Sequence, residues 1–284
     1  MRLKNRITSA PLGTFLSDRG IAELSMAEWA RPRARGGASL INIGTCITNR
    51  VLPPGPDYCI SLGNDITINW LSRVVETIHA YDAKVGIELF PLHKEPAVNF
   101  DERDKMGAKQ VEIDPTGLTI DDIHELIEDY ALAAERVMKA GADSVLFHGA
   151  HAFIPAAFFS KEWNERHDEY GIDTFEHRMR FTVECLDAIR AKIGNNLAIE
   201  YRISWTDMTP KAPTFEEIVE FVKRIEDKID MLHVSKGQLG IHRLGPYVFP
   251  AAYLDHGINT EAAAKLKKEL KIPVAVVGAV TLDQ

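Results

Sequence analysis

The chain has 284 residues, 45% of them hydrophobic and 26% charged, and its 33 basic and 41 acidic side chains leave a formal charge of −8. That length suffices for one large α/β domain or for two ordinary ones, with a core of dozens of aliphatic side chains. No apolar run approaches the roughly 20 residues that span a bilayer, and Lys and Arg are scattered rather than blocked, which argues against a membrane and against nucleic acid as partners. Positive charge on the first six residues is followed by Thr8, Ser9 and Pro11 instead of an apolar signal region, so the expected location is cytoplasmic. Cys46, Cys59 and Cys185 are odd in number and lack C-x-x-C spacing. They are expected to be free thiols, with neither a disulfide framework nor a cysteine-bound cluster or zinc site in this chain.

In chain order, short apolar runs predict seven strands near residues 6–10, 40–43, 84–89, 144–147, 198–203, 231–234 and 274–277. A helical pattern follows each but the last, which is the signature of repeated β/α units on a parallel sheet. Three helix starts carry capping logic, in which a side-chain oxygen meets an orphan N–H and an acid three residues on returns the bond. They are Thr119 with Asp122, Asp173 with Glu176, and Thr214 with Glu217. Behind the first, Ile123, Ile127, Tyr130, Ala134, Val137 and Met138 recur at helical spacing, and the helix should stop at Gly141. Residues 52–65 and 91–119 read as the long loops that follow strands, where a barrel builds its pocket. No repeat, low-complexity tract or linker divides the chain, so one domain over 1–284 is expected. A doubly wound dinucleotide fold is disfavoured because no G-x-G-x-x-G follows the first strand.

The residues best suited to chemistry cluster at predicted strand ends. After the fourth strand come Phe147-His148-Gly149-Ala150-His151-Ala152-Phe153, then Phe158-Phe159-Ser160, Asn164-x-Arg166-x-Asp168-Glu169-Tyr170-Gly171 and Arg178-x-Arg180-Phe181. This string resembles the old yellow enzyme family, and within it the branch of 2,4-dienoyl-CoA reductase and the enoate reductases of anaerobes. Further agreement lies in residues 3–7 leading into Ala10-Pro11-Leu12, in Arg35-Gly36-Gly37, in Tyr201-Arg202-Ile203-Ser204 and in His233-Val234-Ser235-x-Gly237. The likeness runs in order through essentially the whole chain.

The resemblance implies an α/β fold of the (β/α)8 TIM-barrel type holding flavin mononucleotide (FMN), reduced by NADH or NADPH and passing hydride to an activated alkene of an enone, enoate or enoyl thioester. It implies backbone groups of Pro11, Leu12, Gly13 and Gly44 along one edge of the flavin, Glu88 at the pyrimidine, Arg202 beside the N1 and C2 region, and Gly278 in the phosphate site. For Arg202 the alternative is an interior charge paired with Glu200 or Glu88. His148 and His151 match the family's donors to the substrate carbonyl; as residues alone they also read as structural histidines or, less well, as a metal pair. His242 falls where the dienoyl-CoA reductase pattern has another active-site histidine.

Three departures stand out. Glu88 replaces the family's usual Gln, and a carboxylate only accepts where an amide donates as well. Phe153 stands where a tyrosine commonly protonates the α-carbon, leaving His151, His242 or Tyr247 for that task. The chain ends just past the seventh strand, before an eighth β/α unit and before the family's iron–sulfur motif. A barrel incomplete at its C-terminus is therefore expected, as a fragment, a truncated gene product or a subunit completed by a second polypeptide, and the expected partner is a completing C-terminal segment or, in a homo-oligomer, a further copy of the chain. Two alternatives to the alkene reductase remain open: a remnant without flavin, and an amine dehydrogenase on the same barrel.

Overall fold

All seven predicted strands form in the computed structural model, which describes every residue except 15, 19, 23, 51–58, 92–114, 240 and 282–284. They are β1 (Thr8–Ser9), β2 (Leu40–Ile43), β3 (Lys84–Leu89), β4 (Ser144–Gly149), β5 (Ala198–Ser204), β6 (Met231–Ser235) and β7 (Val274–Val276). Their hydrogen-bonded order follows chain order without reversal. A doubly wound sheet would reverse at a switch point, so the topology rules out that alternative. Most of loops 52–65 and 91–119 lies outside the described residues.

Two compact units divide the chain, and the boundary runs through β4 and β5. The first (residues 1–94, 124–147 and 185–199) pairs β1 with β2, β2 with β3 and β3 with β4, all parallel. Helices α1 (Leu24–Arg35) and α2 (Ile66–His79) pack on each other here. Leu71, Val74, Val75 and Ile78 give α2 a buried face at helical spacing. The next helix, α3 (Ile120–Lys139), buries Leu126, Tyr130, Ala131, Ala134 and Val137, while Ile127 and Met138 stay half-buried. Tyr130 stacks on Phe147 of β4 at 4.6 Å between ring centroids. The helix stops where expected: Gly141 has φ +85°, and its N–H bonds back to Met138.

The second unit (residues 95–123, 148–184 and 200–284) pairs β5 with β6 and β6 with β7. Here lie α4 (Ile154–Phe159), the start of α5 (Phe175–Ile193), α6 (Phe215–Ile225), α7 (Gly245–Val248) and α8 (Thr260–Glu269). Reciprocal bonds form at Thr119 with Asp122 and at Thr214 with Glu217, as the capping pattern requires. The third start differs. Thr174 caps α5 by accepting from the His177 N–H at 3.0 Å, and Asp173 instead meets His167 at 2.8 Å. Two adjacent residues could each serve as the cap, and spacing alone pointed to the wrong one.

The motif 164–171 acts as a clamp. Asn164 donates to the Phe158 and Tyr170 carbonyls at 2.9 and 2.8 Å, and Arg166 bonds the Pro115 and Leu118 carbonyls and the Asp168 carboxylate. The Tyr170 hydroxyl donates to Glu184 at 2.6 Å. These contacts tie the segment after α4 to residues 115–118 and to α5.

Candidate functional site

Strands buried on both faces are usually apolar throughout, yet β5 and β6 alternate. Along β5, Glu200, Arg202 and Ser204 share one face, while Ile199, Tyr201 and Ile203 share the other; along β6, His233 and Ser235 oppose Leu232 and Val234. The ladder places Arg202 opposite His233 and Ser204 opposite Ser235, so the polar residues fall into rows. Tyr201 lies on the apolar face, its ring 5.8 Å from Phe221 of α6. One face of the two strands is therefore built for packing and the other for chemistry.

His148 closes this face from the end of β4, which runs two residues further than predicted, to Gly149. The chain then turns through left-handed backbone at His151 (φ 62°) and Ala152 (φ 61°), conformations that cost non-glycine residues energy and persist only where the surroundings impose them. The turn carries His151 back toward the strands. Its backbone N–H donates to Ser204 Oγ at 3.0 Å, and its Nε2 lies 2.7 Å from Ser235 Oγ.

The two imidazoles are linked, His151 Nδ1 to His148 Nε2 at 3.2 Å, and the backbone assigns their protons. The Ala150 N–H donates to His148 Nδ1 at 3.3 Å, which leaves the His148 proton on Nε2. His148 Nε2–H then donates to His151 Nδ1, and His151 Nε2–H donates to Ser235. Both rings are neutral. Burial holds each well below the usual histidine range, the Arg202 charge adds to this, and His148 adds further to the shift of His151. Phe153 packs edge-on against His148 at 4.9 Å between centroids. Among the described residues no three metal-ligating side chains gather here or elsewhere.

Glu200, one of the partners considered for Arg202, lies 2.7 Å from His233 Nε2. Arg202 itself is buried, and its charge reaches both histidines. Gly278, with φ +121°, follows β7 where an added Cβ would press on the Asn259 amide at 2.8 Å. His242 opens the short turn His242–Leu244 before α7, and its side chain lies outside the described residues.

The first unit brings together the other expected residues. Gly13 and Gly44 form a backbone bridge, and a Cβ on Gly44 would strike the Glu88 carboxylate and come within 2.9 Å of Pro11. Only glycine allows that approach. Leu12 is exposed beside them. Glu88 is buried, and after burial its charge is the next influence pushing the Cys46 and Cys59 thiols up, Cys59 to about 11.

Sequence reasoning missed Ser204 and Ser235 as ligands of His151, and also Lys236, Gln238 and Asp207. The alternation in β5 and β6 could have revealed the serines. Asp207, just beyond β5, is buried and pushed up to about 7, first by burial and then by Glu162. No sequence pattern singles it out.

Parallel strands in unbroken chain order, with buried polar groups at their C-terminal ends, define an α/β protein of the (β/α)8-barrel type. The chain belongs to the NADH:flavin oxidoreductase / NADH oxidase family, whose model matches residues 1–284. This is the old yellow enzyme family; its cofactor is FMN and its reductant NADH or NADPH. The chain is 28% identical to an NADH oxidase of Thermoanaerobacter brockii over 98% of its length, but spans 43% of that protein. It is 30% identical to an NADPH dehydrogenase of Clostridium acetobutylicum, covering 98% of this chain and 80% of that one. The solved old yellow enzyme homologue from Zymomonas mobilis superposes with a TM-score of 0.75 at 20% identity, covering 100% of this chain and 82% of that one. The chain thus spans less than half the length of some curated relatives and most of others.

The donor set fits FMN in kind. A buried guanidinium in the second unit suits an electron-rich ring, and the Gly13–Gly44 bridge in the first offers side-chain-free backbone. Glu88 is the exception, because it can accept but not donate.

Proposed function

We propose that the protein is an ene reductase of the dienoyl-CoA and enoate reductase kind, taking electrons from NADH or NADPH and reducing the C=C bond of an enone, enoate or enoyl thioester. The observation that carries this reading is the pair of buried, neutral imidazoles of His148 and His151, joined to each other and set beside Arg202. Bound FMN would supply the hydride. Pro11, Leu12, Gly13, Gly44, Glu88, Arg202 and Gly278 are the residues that would hold it.

The histidines supply what a reacting enone needs from the protein. Hydride arriving at the β-carbon pushes negative charge onto the carbonyl oxygen, and two oriented N–H donors stabilise it as it develops. Neutral rings suit this task because each keeps one N–H without burying a full charge. A substrate carbonyl would replace His151 Nδ1 and Ser235 Oγ as acceptor of the two N–H groups, exchanging two internal bonds for two to substrate. Phe153 has no proton to give, so protonation of the α-carbon falls to another group, with His151 and Tyr247 the described candidates.

The test compares the wild type with a variant carrying both His148→Ala and His151→Ala, each assayed for flavin content and for anaerobic reoxidation of reduced flavin by cyclohexenone. Retained flavin with reoxidation slowed on the order of 10²-fold or more is expected. Lost flavin, with unchanged turnover per flavin that remains, would assign the histidines to cofactor binding and overturn this reading.

A further inference from the structure

Immediately after β6, Lys236 is half-buried, with its ammonium 5.2 Å from the Trp205 ring centroid and 5.3 Å from that of Tyr247. No carboxylate among the described residues forms an ion pair with it. The Trp205 ring is fixed in turn, its Nε1–H donating to Asn259 at 2.9 Å while Asn259 donates to the Val277 carbonyl at 2.7 Å. Two residues on, Gln238 is fully buried, yet neither its amide oxygen nor its amide nitrogen has a hydrogen-bond partner among the described residues. Its backbone bridges His151, so this segment adjoins the imidazole pair.

Each observation is costly unless a ligand completes it. An ammonium drawn out of water keeps little of its hydration, and two aromatic faces compensate only in part. A buried amide with both ends unmet loses its hydrogen bonds outright. Burial also pulls the Lys236 ammonium below its ordinary range, and a bound anion would reverse that shift.

We infer that Lys236 and Gln238, walled by Trp205 and Tyr247, form a subsite for the carboxylate of an α,β-unsaturated acid, one oxygen of which meets the ammonium and the amide while the other takes the imidazole N–H groups. This rests on the ene-reductase reading and narrows its substrate class to an enoate. A single ammonium and one amide donor match a monovalent, planar carboxylate, whereas phosphate sites gather several backbone N–H groups or a guanidinium fork. The amide oxygen of Gln238 is left to accept from a hydroxyl or water on the ligand.

Calorimetric titration of the purified protein with cinnamate and with methyl cinnamate separates the charge from the hydrocarbon. The acid should bind the wild type about tenfold or more tightly than the ester, that ratio should fall close to one in Lys236→Met, and Lys236→Arg should largely keep it. Titration with inorganic phosphate should give no comparable binding. An acid-to-ester ratio near one in the wild type, or a ratio that Lys236→Met leaves unchanged, overturns the subsite, as does failure of both ligands to bind. Tighter binding of phosphate than of cinnamate would make the lysine a phosphate anchor and also overturn it. The ene-reductase reading fails separately, when cinnamate binds through Lys236 but no alkene reoxidises reduced flavin.

Discussion

At the scale of single residues, glycine positions mark where the polar face and the packing face meet. Gly149 ends β4 with Tyr201 against it, and a Cβ there would overlap both the hydroxyl and the ring of that tyrosine. Tyr201 is held by Phe221 and has no room to retreat, so Gly149→Ala should destabilise the fold by about 1–3 kcal/mol, read from the midpoint of denaturant unfolding. A variant as stable as the wild type would mean that the strand end moves freely. Residue identity made the glycines, His148, His151 and Arg202 legible before any fold was known, because a whole motif string carried them. Lys236 and Gln238 were not legible: a lysine and a glutamine in a loop are ordinary until burial shows that neither is matched by a partner of its own kind.

Among the elements, strands were easier to read than their exact ends. Predicted and observed strands coincide within two residues at every end, although β1 shrinks from five predicted residues to Thr8 and Ser9. Hydrophobic runs report burial, whereas ladder length depends on the neighbouring strand, which no local pattern contains. Caps obey the same division. The Thr119 and Thr214 boxes follow from spacing, but the choice between Asp173 and Thr174 is made by His167, which occupies the Asp173 carboxylate. Thr119→Ala and Thr214→Ala should each cost about 1 kcal/mol, while Asp173→Ala, which removes only an exposed contact, should cost much less. Thermal denaturation of the three variants side by side checks the ranking, and an Asp173 variant as damaged as the others would restore that residue as the cap.

For the whole molecule, the buried titrating groups pull stability in opposite directions. His148 and His151 have folded pKa values below the unfolded value near 6.5, so the unfolded chain binds protons first and stability falls as pH drops through about 6.5. Asp207 is the reverse case. Its folded value of about 7 exceeds the unfolded value near 3.9, so its contribution is complete below about 4 and is lost as pH rises toward 7. Asp207→Asn should therefore raise the melting temperature at pH 8 and lose that advantage near pH 4, as a pH series of melting curves would show. A variant less stable than wild type at pH 8 would mean that the ionised carboxylate has a stabilising partner. Alternation along β5 and β6 bears on which changes in chain length the gene can tolerate. Deleting one codon within 198–204 or 231–235 would turn Arg202 or His233 against the helices and bring Tyr201 or Leu232 to the polar face, a double penalty that no neighbouring strand can absorb. Insertions and deletions in natural variants of this chain should accordingly be found in the segments between strands and be absent from these two.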